Sequence, residues 1–139
     1  MTSALLEAAE KARGQAHAPY SGFTVGAAVR AEDGSIHTGC NVEVSSYSHT
    51  CCAERVAVFK AVSEGHRRLT ACAVMTDISP PASPCGACRQ VLYDFGPDMV
   101  MILANPAGEV IEIPLAELLP QAFTPEQVLQ KIKARHGGG

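Results

Sequence analysis

The fold is decided between residues 69 and 104, which read LTACAVMT (Leu69–Thr76), DISPPASP (Asp77–Pro84), CGACRQVLYDF (Cys85–Phe95) and, three residues later, MVMILA (Met99–Ala104). The first piece is an apolar run suited to a buried strand, and the last also reads as a strand. The piece between them has helical spacing, and the Pro/Ser-rich segment before it reads as a loop. Strand, helix, strand in that order gives a pair of strands joined by a right-handed crossover.

The neighbouring segments extend the pattern. Upstream, CAERVAVFKAVSE (Cys52–Glu64) reads as a helix with Gly65 at its stop. Thr24–Ala31 and Ile36–Val42 read as strands joined around Asp33-Gly34, a strong hairpin signal. Ser3–Ala16 carries Leu5, Leu6, Ala9 and Ala12 at helical spacing, with Ser3 as its expected cap, and Pro19 and Gly22 break that pattern. Downstream, Glu109–Ile113 reads as a strand after an Asn105-Pro106-Ala107-Gly108 turn. The last helix is announced by Thr124 as cap, Pro125 in first position and Gln127 closing a capping box. The whole predicts an α/β fold in layers around a mixed sheet.

Composition narrows the functional classes. At 139 residues the chain has the size of one domain with a substantial core, assigned to residues 1–136, and Gly137–Gly139 read as a flexible tail. A net charge of -3 without any basic run argues against nucleic acid as partner, which leaves a small molecule. No stretch approaches the roughly 20 apolar residues of a membrane span, and the N-terminus lacks the pattern of a secretory signal. The expected location is the cytoplasm, where six cysteines are thiols or metal ligands rather than disulfides.

The chemistry sits in Cys52-Ala53-Glu54-Arg55 and Pro84-Cys85-Gly86-Ala87-Cys88. Taken alone, Cys85-x-x-Cys88 fits a redox pair, half of a structural zinc site, or a helix start that holds two cysteines. Glu54 and Arg55, taken alone, fit an ordinary exposed first turn. Together the two segments offer three thiolates and a carboxylate. Three protein ligands leave the fourth zinc position open, the layout of a catalytic rather than a structural site. This is the signature described for zinc deaminases: three His/Cys ligands, a carboxylate that is not a ligand, and Pro-Cys-x-x-Cys. Three thiolates make the site negative. Two helix N-termini, at Cys52 and Cys85, and the Arg55 guanidinium are placed to offset that charge. Thiolate ligands favour zinc.

Beyond these motifs, the sequence resembles the small homotetrameric cytidine deaminases along almost its whole length. The likeness is carried by Tyr20-Ser21-Gly22-Phe23-Thr24-Val25-Gly26-Ala27-Ala28, Gly39-Cys40-Asn41-Val42-Glu43, Tyr47, and the two cysteine motifs. It continues through Arg89-Gln90 and Glu117-Leu118-Leu119-Pro120-Gln121-Ala122-Phe123. The resemblance implies a three-layer α/β/α fold on a five-stranded mixed sheet. It implies one zinc ion per subunit on Cys52, Cys85 and Cys88, a zinc-held water that attacks C4 of cytidine or deoxycytidine, and Glu54 as proton shuttle. Asn41 and Glu43 would bind the ribose hydroxyls, Phe23 and Ala53 would line the substrate site, and Arg55 would offset the thiolate charge. Tyr47 and Phe123 would approach a site or an interface from a neighbouring subunit. The product, uridine or deoxyuridine with ammonia, places the chain in pyrimidine salvage.

From the residues alone, Asn41 and Glu43 divide evenly between diol recognition and a solvated strand face, and Phe23 reads first as a core aromatic. Cys40, Cys51 and Cys72 read as small buried residues, with Cys51 pointing away from Cys52, and His49 as a loop residue. One departure stands out: Val44 occupies the place where the family commonly has a second Asn, and Ser45-Ser46 follow it. A deaminase of another cytosine derivative such as blasticidin S is therefore the runner-up. A non-catalytic zinc or redox module is the alternative from a different class.

Overall fold

The computed structural model describes residues 2–136. The elements run α1 (Thr2–Arg13), β1 (Val25–Ala31), β2 (Ile36–Cys40), a 3-10 turn (Tyr47–His49), α2 (Ala53–Ser63), β3 (Leu69–Thr76), α3 (Gly86–Phe95), β4 (Val100–Ala104), β5 (Val110–Pro114), α4 (Leu115–Leu118) and α5 (Pro125–His136). Each predicted helix and strand is present. Three details differ. Ser3 lies inside α1 rather than capping it, α1 ends at Arg13 rather than residue 16, and β2 stops at Cys40. Gly14 follows Arg13, and a glycine beside the last turn lets the helix end there. The expected Gly tail at 137–139 lies outside the described residues.

The sheet order is β2-β1-β3-β4-β5. β3 and β4 are parallel and every other neighbouring pair is antiparallel, and α3 makes the crossover between the parallel neighbours. Alternation sorts each strand onto two cores. Ala27, Val29, Cys72, Val74, Met101 and Leu103 face α2 and α3, packing on Ala57, Val58, Ala61 and Leu92. Ala28, Ala71, Ala73, Met75, Ile102 and Ala104 face α1, packing on Leu5 and Ala9. The α/β/α layering is thus produced by period-2 strands meeting 3.6-period helices.

Alanine is the commonest residue in the central strands, so the helices sit close to the sheet. At two positions even a methyl group is too much. A Cβ on Gly26 would lie 2.0 Å from the Ala9 carbonyl oxygen, and one on Gly39 would lie 2.5 Å from both the Ala53 oxygen and the Ala57 nitrogen. These glycines are the seats of α1 and α2.

The predicted turn chemistry holds. Gly34 and Gly65 have φ of 89° and 101°, and the capping box at α5 closes with Thr124 N–H to Gln127 Oε1 at 2.9 Å and Gln127 N–H to Thr124 Oγ1 at 3.3 Å. Among the described residues, no helix is long and apolar enough to cross a membrane.

Candidate active site

α2 and α3 begin side by side. Cys52 is the N-cap of α2 and Cys85 the N-cap of α3, both with extended backbone and neither using its side chain to cap. The thiols are therefore free for other chemistry. Cys88 lies one turn into α3, so the i, i+3 spacing brings its sulfur over Cys85. The Sγ atoms of Cys52, Cys85 and Cys88 all lie within 4.8 Å of one another. Cys52 to Cys85 measures 3.9 Å and Cys85 to Cys88 3.4 Å. Tetrahedral zinc with Zn–S bonds near 2.3 Å needs sulfurs roughly 3.8 Å apart, so this donor set fits zinc.

The electrostatics of the cluster agree. The Cys52 thiol is brought down to about 5 by a hydrogen bond from Cys88, with further help from Arg55 and Cys85. Cys88 is correspondingly raised, chiefly because its proton is held in the bond to Cys52, so the pair keeps one proton between them. Arg55 Nη2 stands 3.5 Å from Cys52 Sγ and 3.4 Å from the Thr50 carbonyl oxygen. Its Nε is buried without a hydrogen-bond partner. A partly desolvated guanidinium is tolerated there because anionic sulfur lies beside it, and that contact holds its proton more tightly still.

Glu54, in the first turn of α2, is only 4% exposed. Burial pushes its carboxyl up to about 7, with the Cys52 thiolate adding to the rise. A carboxyl poised near neutrality can both take and return a proton at working pH.

These groups border a cavity of about 220 Å³ whose walls include Phe23, Asn41, Ala53, Glu54, Cys52 and Cys85. That is below the roughly 300–1,000 Å³ of a drug-sized pocket, a space for one small ring system. Five of the sequence-assigned residues outside the thiol cluster are placed less simply. Asn41 does line the cavity, but its amide is spent on the backbone: Oδ1 accepts from Val25 N–H at 2.9 Å and Nδ2 donates to the Phe23 carbonyl at 2.7 Å. It thereby fixes Phe23 in the wall. Glu43 lines an adjoining concavity of about 350 Å³ with Tyr20, Ser21, Tyr47 and Thr50, and Thr50 is shared by both spaces. Its carboxylate accepts from Tyr20 N–H and Ser21 N–H, each at 3.0 Å, and from the Ser21 hydroxyl, which together hold its pKa below the usual range.

Tyr47 is exposed and meets Tyr20 edge-on at 5.2 Å. Phe123 is also exposed and outside both spaces, its carbonyl held by Gln90 Nε2 at 2.7 Å. Val44, the departure from the family pattern, is exposed and lines neither space.

Cys72 is buried as expected, whereas Cys40 and Cys51 are half-buried. Cys51 lines the same cavity as Cys52 rather than pointing wholly away, and burial keeps its thiol protonated. His49 is indeed outside the cluster, bonded to Ser46 Oγ. Sequence reading missed Thr50, Val74, Thr76, Ala82 and Ser83 as wall residues. Only Thr76, a polar residue ending an apolar strand, carried any signal.

With this geometry established, comparison with known proteins is informative. A family model for the cytidine and deoxycytidylate deaminase zinc-binding region matches residues 1–104. A cytidine deaminase of Sporosarcina psychrophila is 53% identical over 125 residues, covering 89% of this chain and 92% of that protein. One of Halalkalibacterium halodurans is 50% identical over 125 residues, covering 89% and 95%. The crystal structure of cytidine deaminase from Burkholderia pseudomallei superposes with a TM-score of 0.86 at 46% identity, covering 88% of this chain and 99% of that one. The mixed five-stranded sheet is thus the fold of solved cytidine deaminases, and this chain belongs to the cytidine and deoxycytidylate deaminase zinc-binding family.

Proposed function

We propose that the protein hydrolyses the C4 amino group of cytidine and deoxycytidine, giving uridine or deoxyuridine and ammonia. The observation that carries this reading is the raised, buried Glu54 beside the Cys52–Cys85–Cys88 cluster in a cavity of single-ring size. Cys52, Cys85 and Cys88 would hold zinc, which when bound supplies Lewis-acid activation of the attacking water. Glu54 would take one proton from the attacking water and pass it to N3, then take the proton of the new C4 hydroxyl and pass it to the departing amine, so that it ends as it began. Phe23 packs against the base, positioned by Asn41. Ala53 lines the wall beside Glu54. Asn41 and Glu43 recognise the sugar, using acceptor capacity left over from their backbone bonds; a carboxylate has about four acceptor directions. The charge on Glu43 also disfavours a phosphate at that end, in keeping with a free nucleoside as substrate.

The wider setting follows the same reading: residues 1–136 act as one domain, in the cytoplasm, in pyrimidine salvage, as a homotetramer with one zinc per subunit. The homotetramer is supported by the exposed apolar set of Tyr47, Phe123, Val128, Leu129 and Ile132, which a single chain leaves uncovered. A UV-monitored assay on cytidine and deoxycytidine, with cytosine and blasticidin S alongside, tests the substrate. Loss of nucleoside absorbance with equal release of ammonia is the expected result; turnover of blasticidin S alone would replace it with the runner-up.

Arg55→Gln is expected to weaken zinc binding and turnover by roughly 10- to 100-fold, the usual range for a partner of a metal ligand. Glutamine keeps a donor for Cys52 but removes the charge. Competition with a chromophoric chelator reads the affinity, and an unchanged value would remove Arg55 from the site's charge balance.

A further inference from the structure

One wall of the cavity comes from the loop between β3 and α3, which contributes Ala82, Ser83 and the ligand candidate Cys85. A Pro/Ser-rich loop has little propensity to hold a shape by itself, so its position must be imposed from outside. Three tethers do this. Ala82 N–H donates to Thr76 Oγ1 at 3.2 Å. Arg89, one residue past Cys88, donates to the Pro84 carbonyl at 2.7 Å and to Ser83 Oγ at 2.8 Å. The third tether comes from the end of the neighbouring parallel strand: Asn105 Nδ2 donates to the Ile78 carbonyl at 3.0 Å.

Asn105 follows the last residue of β4 and is 5% exposed. In the sequence it reads only as the first residue of the β4–β5 turn. The turn does use it: Oδ1 accepts from Glu109 N–H at 3.0 Å, and the Asn105 N–H donates to the Glu109 carbonyl at 3.2 Å. Its Nδ2 faces the loop, reaching both Ile78 and, at 2.9 Å, Glu109 Oε1. Glu109 in turn accepts a hydrogen bond from the Ser79 hydroxyl. One buried amide therefore ties two segments together, and its two ends can be separated by mutation.

Resting on the deaminase reading above, we propose that Asn105 is a positioning residue for substrate binding. By holding Ile78 directly and Ser79 through Glu109, it sets the wall that Ala82 and Ser83 present to the base. It touches neither the substrate space nor the thiol cluster, so it acts on the fit of the ground state rather than on the reacting groups.

Asn105→Asp isolates the loop tether. The remaining carboxylate oxygen still accepts from Glu109 N–H and keeps the turn, but the donor to Ile78 is gone. The expected result is a KM for cytidine raised about tenfold with kcat within about threefold of wild type, given the loss of one buried hydrogen bond outside the reacting groups. Zinc content should stay at one per chain, and the Ala82 amide should exchange its hydrogen roughly tenfold faster as its local opening becomes easier. Glu109→Gln keeps an acceptor oxygen for Ser79 and Asn105 and should behave as wild type. Asn105→Asp combined with Glu109→Gln removes the new carboxylate pair without restoring the donor, so the raised KM should persist.

An unchanged KM, or an unchanged Ala82 exchange rate, in Asn105→Asp would overturn the proposal. So would rescue by the double variant, or a loss of zinc and kcat together, which marks a general structural role. If the wild-type protein turns over neither nucleoside, the functional reading fails, and the Ala82 exchange rate alone decides whether Asn105 holds the loop.

Discussion

Glu54→Gln should retain zinc and fold while losing turnover by roughly 10³-fold, within the 10²- to 10⁴-fold range for a positioned acid-base group. The amide has nearly the same shape as the carboxyl, so the packing of a residue only 4% exposed is preserved. What it cannot do is accept a proton and give it back. The same substitution carries a second signature. Burial raises the folded-state pKa of Glu54 to about 7 from an ordinary value of 4.5. An acid with a raised folded pKa favours the fold where it is protonated, and that favour is lost as pH rises from 4.5 through about 7. Above that window the wild-type fold carries a buried carboxylate and the glutamine variant does not. The metal-free variant should therefore melt at or above the wild-type temperature at pH 8, while its turnover is lost. Stopped assays beside calorimetry would separate the two, and a variant with near-normal kcat would remove Glu54 from the chemistry.

Gly39→Ala is expected to be the most damaging change of a single methyl near the site. The added Cβ would meet the Ala53 oxygen and Ala57 nitrogen at 2.5 Å and the Val56 carbon at 3.0 Å, all backbone atoms that no rotamer change can move. α2 must lift off β2, and overpacking of this kind costs about 1–3 kcal/mol, occasionally more. Ala53 stands between Cys52 and Glu54, so the shift displaces both relative to Cys85 and Cys88. A change of order 1 Å in such a constellation costs about 100-fold in rate. Thermal melting with zinc analysis tests this; a variant that melts and binds zinc like wild type would show that α2 has slack on that face.

Much of this organisation was legible in the sequence because its signals are local. The continuous apolar run of β3 marked it as a buried strand, and the parallel pairing of β3 with β4 follows from the helix between them. Cys52, Cys85 and Cys88 were legible as a set because their two motifs together match a described signature and both stand at helix starts. What spacing does not carry is how a side chain divides its bonds. Asn41 and Glu43 stand two residues apart, yet β2 ends before them, they line different spaces, and both are held by backbone groups of the segment around Tyr20–Val25. Those bonds join residues about 20 apart in sequence. Ala82 and Ser83 were unreadable for a related reason: a Pro/Ser-rich loop takes its path from tethers such as Asn105, whose sequence signature is only that of a turn. Tyr47 and Phe123 remain exposed in one chain, which leaves most of both side chains uncovered.

The preponderance of alanine in the two sheet faces has a consequence for how the protein tolerates change. Alanine loses no rotamer freedom on burial and offers no flexible end to yield, so the strand centre is ordered at low entropic cost but has no play. Positions such as Ala28, Ala57 and Ala73 can be exchanged only for glycine without forcing layers apart, whereas Val44, in the loop before α2, and Val110, on the outer strand β5, are exposed. Drift during evolution, or deliberate redesign for another cytosine derivative, is therefore channelled away from the sheet centre and into the exposed loops and outer strand, leaving the distance between the two thiol-bearing helices almost unchanged.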